Sequence, residues 1–351
     1  MLAPSSVMRP TYRSAGGGRY RPALVDRAGE MIRKGSKSFH AASRLFDTPT
    51  RERAWMLYAW CRQCDDIVDG QQLGGELGVK VDQAKALDRI EAIRILTRRA
   101  LDGEPTADIA FDALGQVASE CGIKLDNAFD VIDGFELDAR DWRPRTEADL
   151  MRYCYHVAGA VGVMMARVMG VPREDSDTLD RACDLGLSFQ LANIARDLAE
   201  DDAAGRCYVP AEWLAEEDIE PGQLMKPHHR EELADIAQRL VDLSRHHRKA
   251  GLAGTSKLSF RQRWAIHTAA RIYGEIAEEV DRRGPAAWDR RVVIGRPRKL
   301  GHVFGAFFEA VNPDDELPAP MPNHSRQTIL IDVRMHGPIP DAPMTPLPDE
   351  E

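Results

Sequence analysis

The sequence predicts an all-α protein folded as a single domain. Apolar residues recur at three-to-four spacing almost everywhere between about residues 24 and 310. Helix-start signals stand where those runs begin, and no alternating strand pattern competes with them. That stretch has no Pro/Gly/Ser-rich break long enough to separate one core from another, so 24–311 reads as one domain, and no repeat period points to a solenoid. The flanks read differently. Residues 1–23 combine four arginines with the run Gly16-Gly17-Gly18, a flexible extension lacking the apolar core of a signal peptide. Nine of the 21 prolines lie between Pro313 and Pro348, beside Asp314-Asp315-Glu316, so 312–351 reads as an unstructured tail.

Composition narrows the classes. With 351 residues, 43% of them apolar, the chain can fill one sizeable core. A formal charge of −9 argues against a nucleic-acid partner, which needs a basic face. Six cysteines are too sparse for a disulfide scaffold, and this predicts a reducing, cytoplasmic setting. The longest uncharged apolar run, Val157 to Ala166, is half the length of a bilayer span.

The first informative helix is expected from about Pro49, behind a cap at Thr48, to Asp69. On it Tyr58, Arg62, Asp65 and Asp69 follow i, i+4, i+7, i+11 and form one polar stripe. Asp65, Asp66 and Asp69 crowd a helix C-terminus, where mutual repulsion and the macrodipole both oppose carboxylates. Taken alone, such a motif is usually a solvated acidic end. A helix near 153–170, after a cap at Thr146, carries the small residues Ala158, Gly159, Gly162 and Ala166 beside Val161, Met164 and Met165. This stripe fits either room for long ligands or close helix packing.

The next helix, from about Ser176 to Asp202, changes the weight of the first motif. Asn193, Asp197 and Asp201 stand at i, i+4, i+8 with Gln190 one turn earlier, next to a core stripe of Leu187, Leu191, Ile194 and Leu198. Amide and carboxylate oxygens are the hard ligands that Mg²⁺ accepts. Two acidic helices facing each other would repel unless Mg²⁺ ions bridged by a diphosphate lay between them. Arg62 and Arg196 add planar donors for phosphate oxygens.

These residues carry a resemblance to the squalene/phytoene synthase family, most closely its bacterial branch that makes phytoene. The matching segments are Ser36-Lys37-Ser38-Phe39, Tyr58-Ala59-Trp60-Cys61-Arg62 with Asp65-Asp66-Ile67-Val68-Asp69, Tyr153 to Gly159, Gln190 to Asp201, and Gly205 to Pro210. The resemblance spans about 24–310 and covers neither flank. It implies the single-domain isoprenoid synthase helical bundle with a central active-site cavity, and head-to-head condensation of two geranylgeranyl diphosphates. Ionisation, attack on the second substrate's double bond and proton loss would give a cyclopropylcarbinyl diphosphate. A second ionisation, ring opening and proton loss would then give a conjugated triene. It implies Asp65, Asp69, Asn193, Asp197 and Asp201 as ligands of Mg²⁺ (or Mn²⁺), with Tyr58, Arg62 and Arg196 also at the reacting groups. Substrate contacts would come from Ser36, Ser38, Phe39, Tyr58, Arg62, Tyr155, Gln190, Arg196 and Tyr273. Tyr273 alone reads equally well as a core tyrosine of an amphipathic helix. No NADPH is expected, and peripheral contact with the inner face of a membrane and with downstream carotenoid enzymes is a further expectation. Two alternatives are farnesyl diphosphate as substrate, giving dehydrosqualene or hydroxysqualene, and a non-catalytic assembly or binding role for the same fold.

Other features are set aside. Cys61-x-x-Cys64 lacks a second zinc pair and reads as two half-buried thiols. The His228-His229 and His246-His247 doublets read as solvated helix surface. The basic patch at Arg290, Arg291, Arg296, Arg298 and Lys299 fits an anionic membrane surface or a plain solvated face.

Overall fold

Capping side chains set the element boundaries. In the computed structural model, which describes residues 13–70 and 83–337, Asp47 accepts a hydrogen bond from the Thr50 amide at 3.0 Å and starts α3 (Thr48–Asp69). Asp175 likewise caps α9 (Ser176–Ala203) through the Thr178 amide at 3.2 Å. Both caps lie one residue before the expected Thr48 and Ser176, because Asp at either place reaches the same third amide. Thr146 caps α7 (Glu147–Cys154) as expected, in a reciprocal box with Asp149.

The remaining helices are α1 (Arg21–Gly35), α2 (Lys37–Ser43), α4 (Gln83–Leu101), α5 (Ile109–Cys121), α6 (Leu125–Ala139), α8 (Ala160–Val168) and α10 (Ala211–Glu216). They are followed by α11 (Arg230–Ala253), α12 (Phe260–Arg283), α13 (Arg296–Val311) and α14 (Arg326–His336). Among the described residues there is no strand. A π turn, Tyr155–Gly159, joins α7 to α8. Helix α9 is central and packs against α8, α11 and α12; its stripe Leu187, Leu191, Ile194 and Leu198 is buried as the periodicity predicts.

Both flanks depart from expectation. Within the segment read as an unstructured tail, Arg326–His336 forms α14, which buries Ile329. It is held by Arg326 on Asp180 (2.9 Å) and by an Arg152–Asp332 ion pair. The proline- and acid-rich sequence around it masks the short apolar set Ile329, Leu330 and Val333, and residues 338–351 lie outside the described residues. At the other end, Ser14 donates to Gly103 at 2.9 Å, Arg19 reaches Asp112 at 2.5 Å, and Arg21 binds Glu120 and Glu52 at 2.6 Å. The glycine run is a packed turn: Gly17 has φ +59° and its backbone lies against Pro105, so a Cβ there would collide. Residues 1–12 are outside the described set.

One histidine is also corrected. His247, expected at the solvated surface, is buried, and its Nδ1 lies 2.9 Å from Asp184; the partner on the neighbouring α9 is remote in sequence and invisible to local spacing. All six cysteines are free, and burial pushes the Cys61 thiol up to about 12, which leaves it a neutral, inert group.

Candidate active site

Two clusters gather most of the residues that the sequence singles out. The first lies on α2 and α3. Tyr58 rises one turn before Arg62, and its ring packs on Phe39 at 5.6 Å between centroids. Arg62 reaches Asp65 at 2.8 Å and Asp66 at 2.6 Å, so one guanidinium spans two carboxylates. Burial raises the Tyr58 phenol above its ordinary value, with Asp65 and Asp66 adding to the rise and Arg62 opposing it. Gly35 is where α1 passes the Tyr58 hydroxyl; a Cβ there would meet the oxygen at 2.5 Å. Ser36 caps α2 by accepting from the Phe39 amide at 3.2 Å, a local structural use of the hydroxyl expected to contact substrate. Asp69 closes α3 and Ser38 lies on α2, but their side chains lie outside the described residues.

The second cluster lies on the half-exposed face of α9. Gln190, Asn193, Arg196, Asp197 and Asp201 share that face while the leucine stripe is buried behind it. Arg196 forms a two-pronged pair with Asp197, through Nε at 2.7 Å and through Nη2. Arg291, from the segment before α13, also reaches Asp197, at 2.8 Å, and Glu200 at 3.4 Å. Burial opposes ionisation of Asp197, but these two guanidiniums prevail and hold its carboxyl below the ordinary range. Asp201 is different. Burial, then the charge of Asp197, push it up to about 7, with Asp138 and Glu200 adding to the rise and Arg206 opposing it.

Further aromatic candidates stand on α9, α12 and the π turn. Tyr273 of α12 stacks on Phe189 of α9 at 4.2 Å, and burial raises its phenol pKa. Tyr155, at the start of the π turn, is buried and donates its hydroxyl to Asp130 at 2.6 Å. The adjacent small-residue stripe resolves into packing. A Cβ on Gly162 would sit 2.3 Å from the Ala182 carbonyl, and one on Gly159 would sit 2.9 Å from Cys183 Sγ. These glycines let α8 approach α9. Val157, Val161 and Met165 stay half-buried on the neighbouring stripe.

Sequence reasoning missed four participants. Phe189 stands one turn before Asn193 on the same face, a signal that spacing could have found. Asp138 accepts from Tyr208 at 2.9 Å and Tyr153 at 3.1 Å and adds its charge beside Asp201. Arg291 reads from sequence as a member of a surface patch, since nothing local links it to a residue 94 positions away. Asp130, with Asp133 and His156, makes a group of three potential metal ligands whose atoms lie within 4.8 Å of one another among the described residues. Most of its groups have partners: Arg94 holds Asp133 at 2.6 Å, Tyr155 holds Asp130, and His156 donates Nδ1–H to the Asp130 carbonyl at 2.8 Å, while the buried His156 Nε2 is left without one.

The α9 donor set fits a divalent cation on its own chemistry. It offers oxygens only, one amide and two carboxylates on one face, and Asp201 is short of compensating positive charge.

The squalene/phytoene synthase family profile matches residues 32–298. The chain is 43% identical to the 15-cis-phytoene synthase of Pantoea ananas over 88% of this chain and 99% of that one. It is 45% identical to the 15-cis-phytoene synthase of Enterobacter agglomerans over 79% and 92% of the two chains. Among solved structures it superposes on a dehydrosqualene synthase bound to a ligand with a TM-score of 0.71 and 23% identity. That match covers 82% of this chain and 96% of that one, and it shows the shared fold.

Proposed function

The chain belongs to the squalene/phytoene synthase family, and we infer that it catalyses head-to-head condensation of two geranylgeranyl diphosphates to phytoene, releasing two diphosphates. It is a prenyltransferase. The observation that carries the reading is the α9 face, where Asn193, Asp197 and Asp201 stand on successive turns beside Arg196 with Asp201 pushed up to about 7. Asn193, Asp197 and Asp201, with Asp65 and Asp69 of α3, are the residues that would hold Mg²⁺ or Mn²⁺. When bound, such ions neutralise the diphosphate charge that grows as an allylic C–O bond breaks.

The chain's own groups do the rest. Arg62 and Arg196 are the planar donors for diphosphate oxygens, each exchanging some of its carboxylate pairing for phosphate. Phe39, Tyr58, Phe189 and Tyr273 present ring faces to the cationic carbons, whose charge is attracted by the ring quadrupole. Tyr155 would make the same wall deeper down. Its hydroxyl donates to Asp130, which fixes the orientation of the ring. Gln190 would complete the polar rim one turn from Asn193, with Ser36 and Ser38 as further substrate contacts. Contact with a membrane and with downstream carotenoid enzymes belongs to the same reading, since a C40 hydrocarbon cannot remain in water.

Incubation of the purified protein with geranylgeranyl or farnesyl diphosphate and Mg²⁺, followed by extraction and mass analysis, tests the reading. Phytoene from the C20 substrate is expected. A C30 product formed as fast from farnesyl diphosphate would overturn the substrate assignment, and no product from either would return the chain to a binding role.

A further inference from the structure

Helix α13 leaves one complete face to solvent. Leu300, Phe304, Phe308 and Val311 recur at i, i+4, i+8, i+11 and are 61%, 69%, 73% and 60% exposed, with no charged residue among them on that stripe. The opposite face is fixed to α12. Ala306 and Ala310 are fully buried, Trp264 donates its indole N–H to the Val303 carbonyl at 2.7 Å, and Arg263 reaches the Ala310 carbonyl at 3.0 Å. Such an apolar stripe is larger than the scattered exposed side chains of an ordinary surface.

Two further observations say what covers it. The first is charge: Arg290 and Arg296 are exposed at the α13 N-terminal end, while Asp314, Asp315 and Glu316 follow its other end, so the stripe is basic where it begins. The second is continuity with the site. Arg291, which grips Asp197, is separated from α13 by only Val292 to Gly295, and within that link Val293 is 73% exposed. The link that carries Arg291 on Asp197 therefore runs along the chain directly into α13.

We propose that α13 is an interfacial helix that seats its Phe304–Phe308 face in an anionic lipid bilayer, basic end at the headgroups. An uncharged apolar face flanked by arginine is the pattern that binds such an interface. Among the described residues no helix is long and apolar enough to cross a membrane, so contact of this kind is peripheral. The inference deepens the functional reading and rests on it for its purpose: a bilayer holds amphiphilic prenyl diphosphates and takes up a hydrocarbon product beside the site.

Flotation of the full chain with phosphatidylcholine vesicles, with and without phosphatidylglycerol, tests the proposal. The wild type should float with the anionic vesicles and be released by high salt. A Phe304→Ser/Phe308→Ser variant should lose about tenfold or more of that partitioning, and Arg290→Gln/Arg296→Gln a smaller share. Both variants should melt as the wild type does and keep full turnover on detergent-dispersed substrate. The proposal is overturned if the wild type stays unbound, if neutral vesicles bind it equally, or if the double Phe variant floats undiminished. Sedimentation that shows a dimer dissolved by the Phe variant, with no vesicle binding, would assign the face to a second copy instead. The detergent assay separates the two claims, because absence of phytoene there sinks the functional reading whatever the vesicles show.

Discussion

At the C-terminal end of α3, Arg62 spans Asp65 at 2.8 Å and Asp66 at 2.6 Å, and Gly70 follows in the left-handed conformation with Arg89 bonded to the Val68 carbonyl at 3.1 Å. On α9, Asp197 is paired twice, by Arg196 and Arg291, yet Asp201 one turn later is held at about 7 by burial and its acidic neighbours. Both helices break the rule against carboxylates near a C-terminus. In α3 a guanidinium from the preceding turn answers the described pair, whereas in α9 a surplus of negative charge is left inside a half-buried face. On the proposed reading an added cation gains more at α9, and we propose α9 as the stronger determinant of catalysis.

The largest expected effect is therefore that of Asp201→Asn. Turnover should fall by about 100-fold or more, as when a charge-stabilising group is lost at a reacting centre, while the melting temperature holds or rises because crowding is relieved. Steady-state phytoene formation and a circular-dichroism melt check both halves; loss of activity together with unfolding would break the comparison. Arg62→Lys should come next. It keeps the charge but cannot span two carboxylates or a phosphate as a fork, and a loss of about tenfold in kcat/KM is expected. Unchanged kinetics would remove Arg62 from the diphosphate-binding group.

The legibility of the molecule follows the range of its interactions. Helices α3 and α9 and their polar stripes can be read within two residues of their true limits because 3.6-residue periodicity and caps are local signals. Arg291 on Asp197, Asp130 under Tyr155 and His247 on Asp184 cannot, since each joins residues far apart in sequence. Gly162 shows the same limit from the packing side: a small residue in a stripe says that something comes close, and only the fold says that it is the Ala182 carbonyl at 2.3 Å. Helix α14 is hidden for another reason, the proline-rich composition on both sides of a short apolar set.

Gly162→Leu should accordingly act on stability and not on chain-length choice. Forcing α8 from α9 should cost about 3 kcal/mol, read as a lowered midpoint in urea. A folded variant with an altered C20 to C15 activity ratio would contradict the packing assignment. Asp130→Asn should have the smallest effect. Burial raises the Asp130 carboxyl to about 6 against an ordinary 3.8, the Tyr155 hydrogen bond notwithstanding. The folded protein thus binds the proton more tightly than the unfolded chain does, so this group's contribution to stability falls as pH rises from about 4 to 6. The Asn variant should gain about 1 to 2 kcal/mol at pH 7.5 relative to pH 4, and equal melting differences at the two pH values would show that burial does not govern this site.

Asp197→Asn and Asp65→Asn, assayed side by side for phytoene formation from geranylgeranyl diphosphate across a full Mg²⁺ titration, test the central claim most directly. The account expects both to lose activity, with Asp197→Asn the more severely impaired and not rescued at saturating Mg²⁺, while both keep their helical circular-dichroism spectra. Near-normal turnover of Asp197→Asn at saturating Mg²⁺ would contradict it.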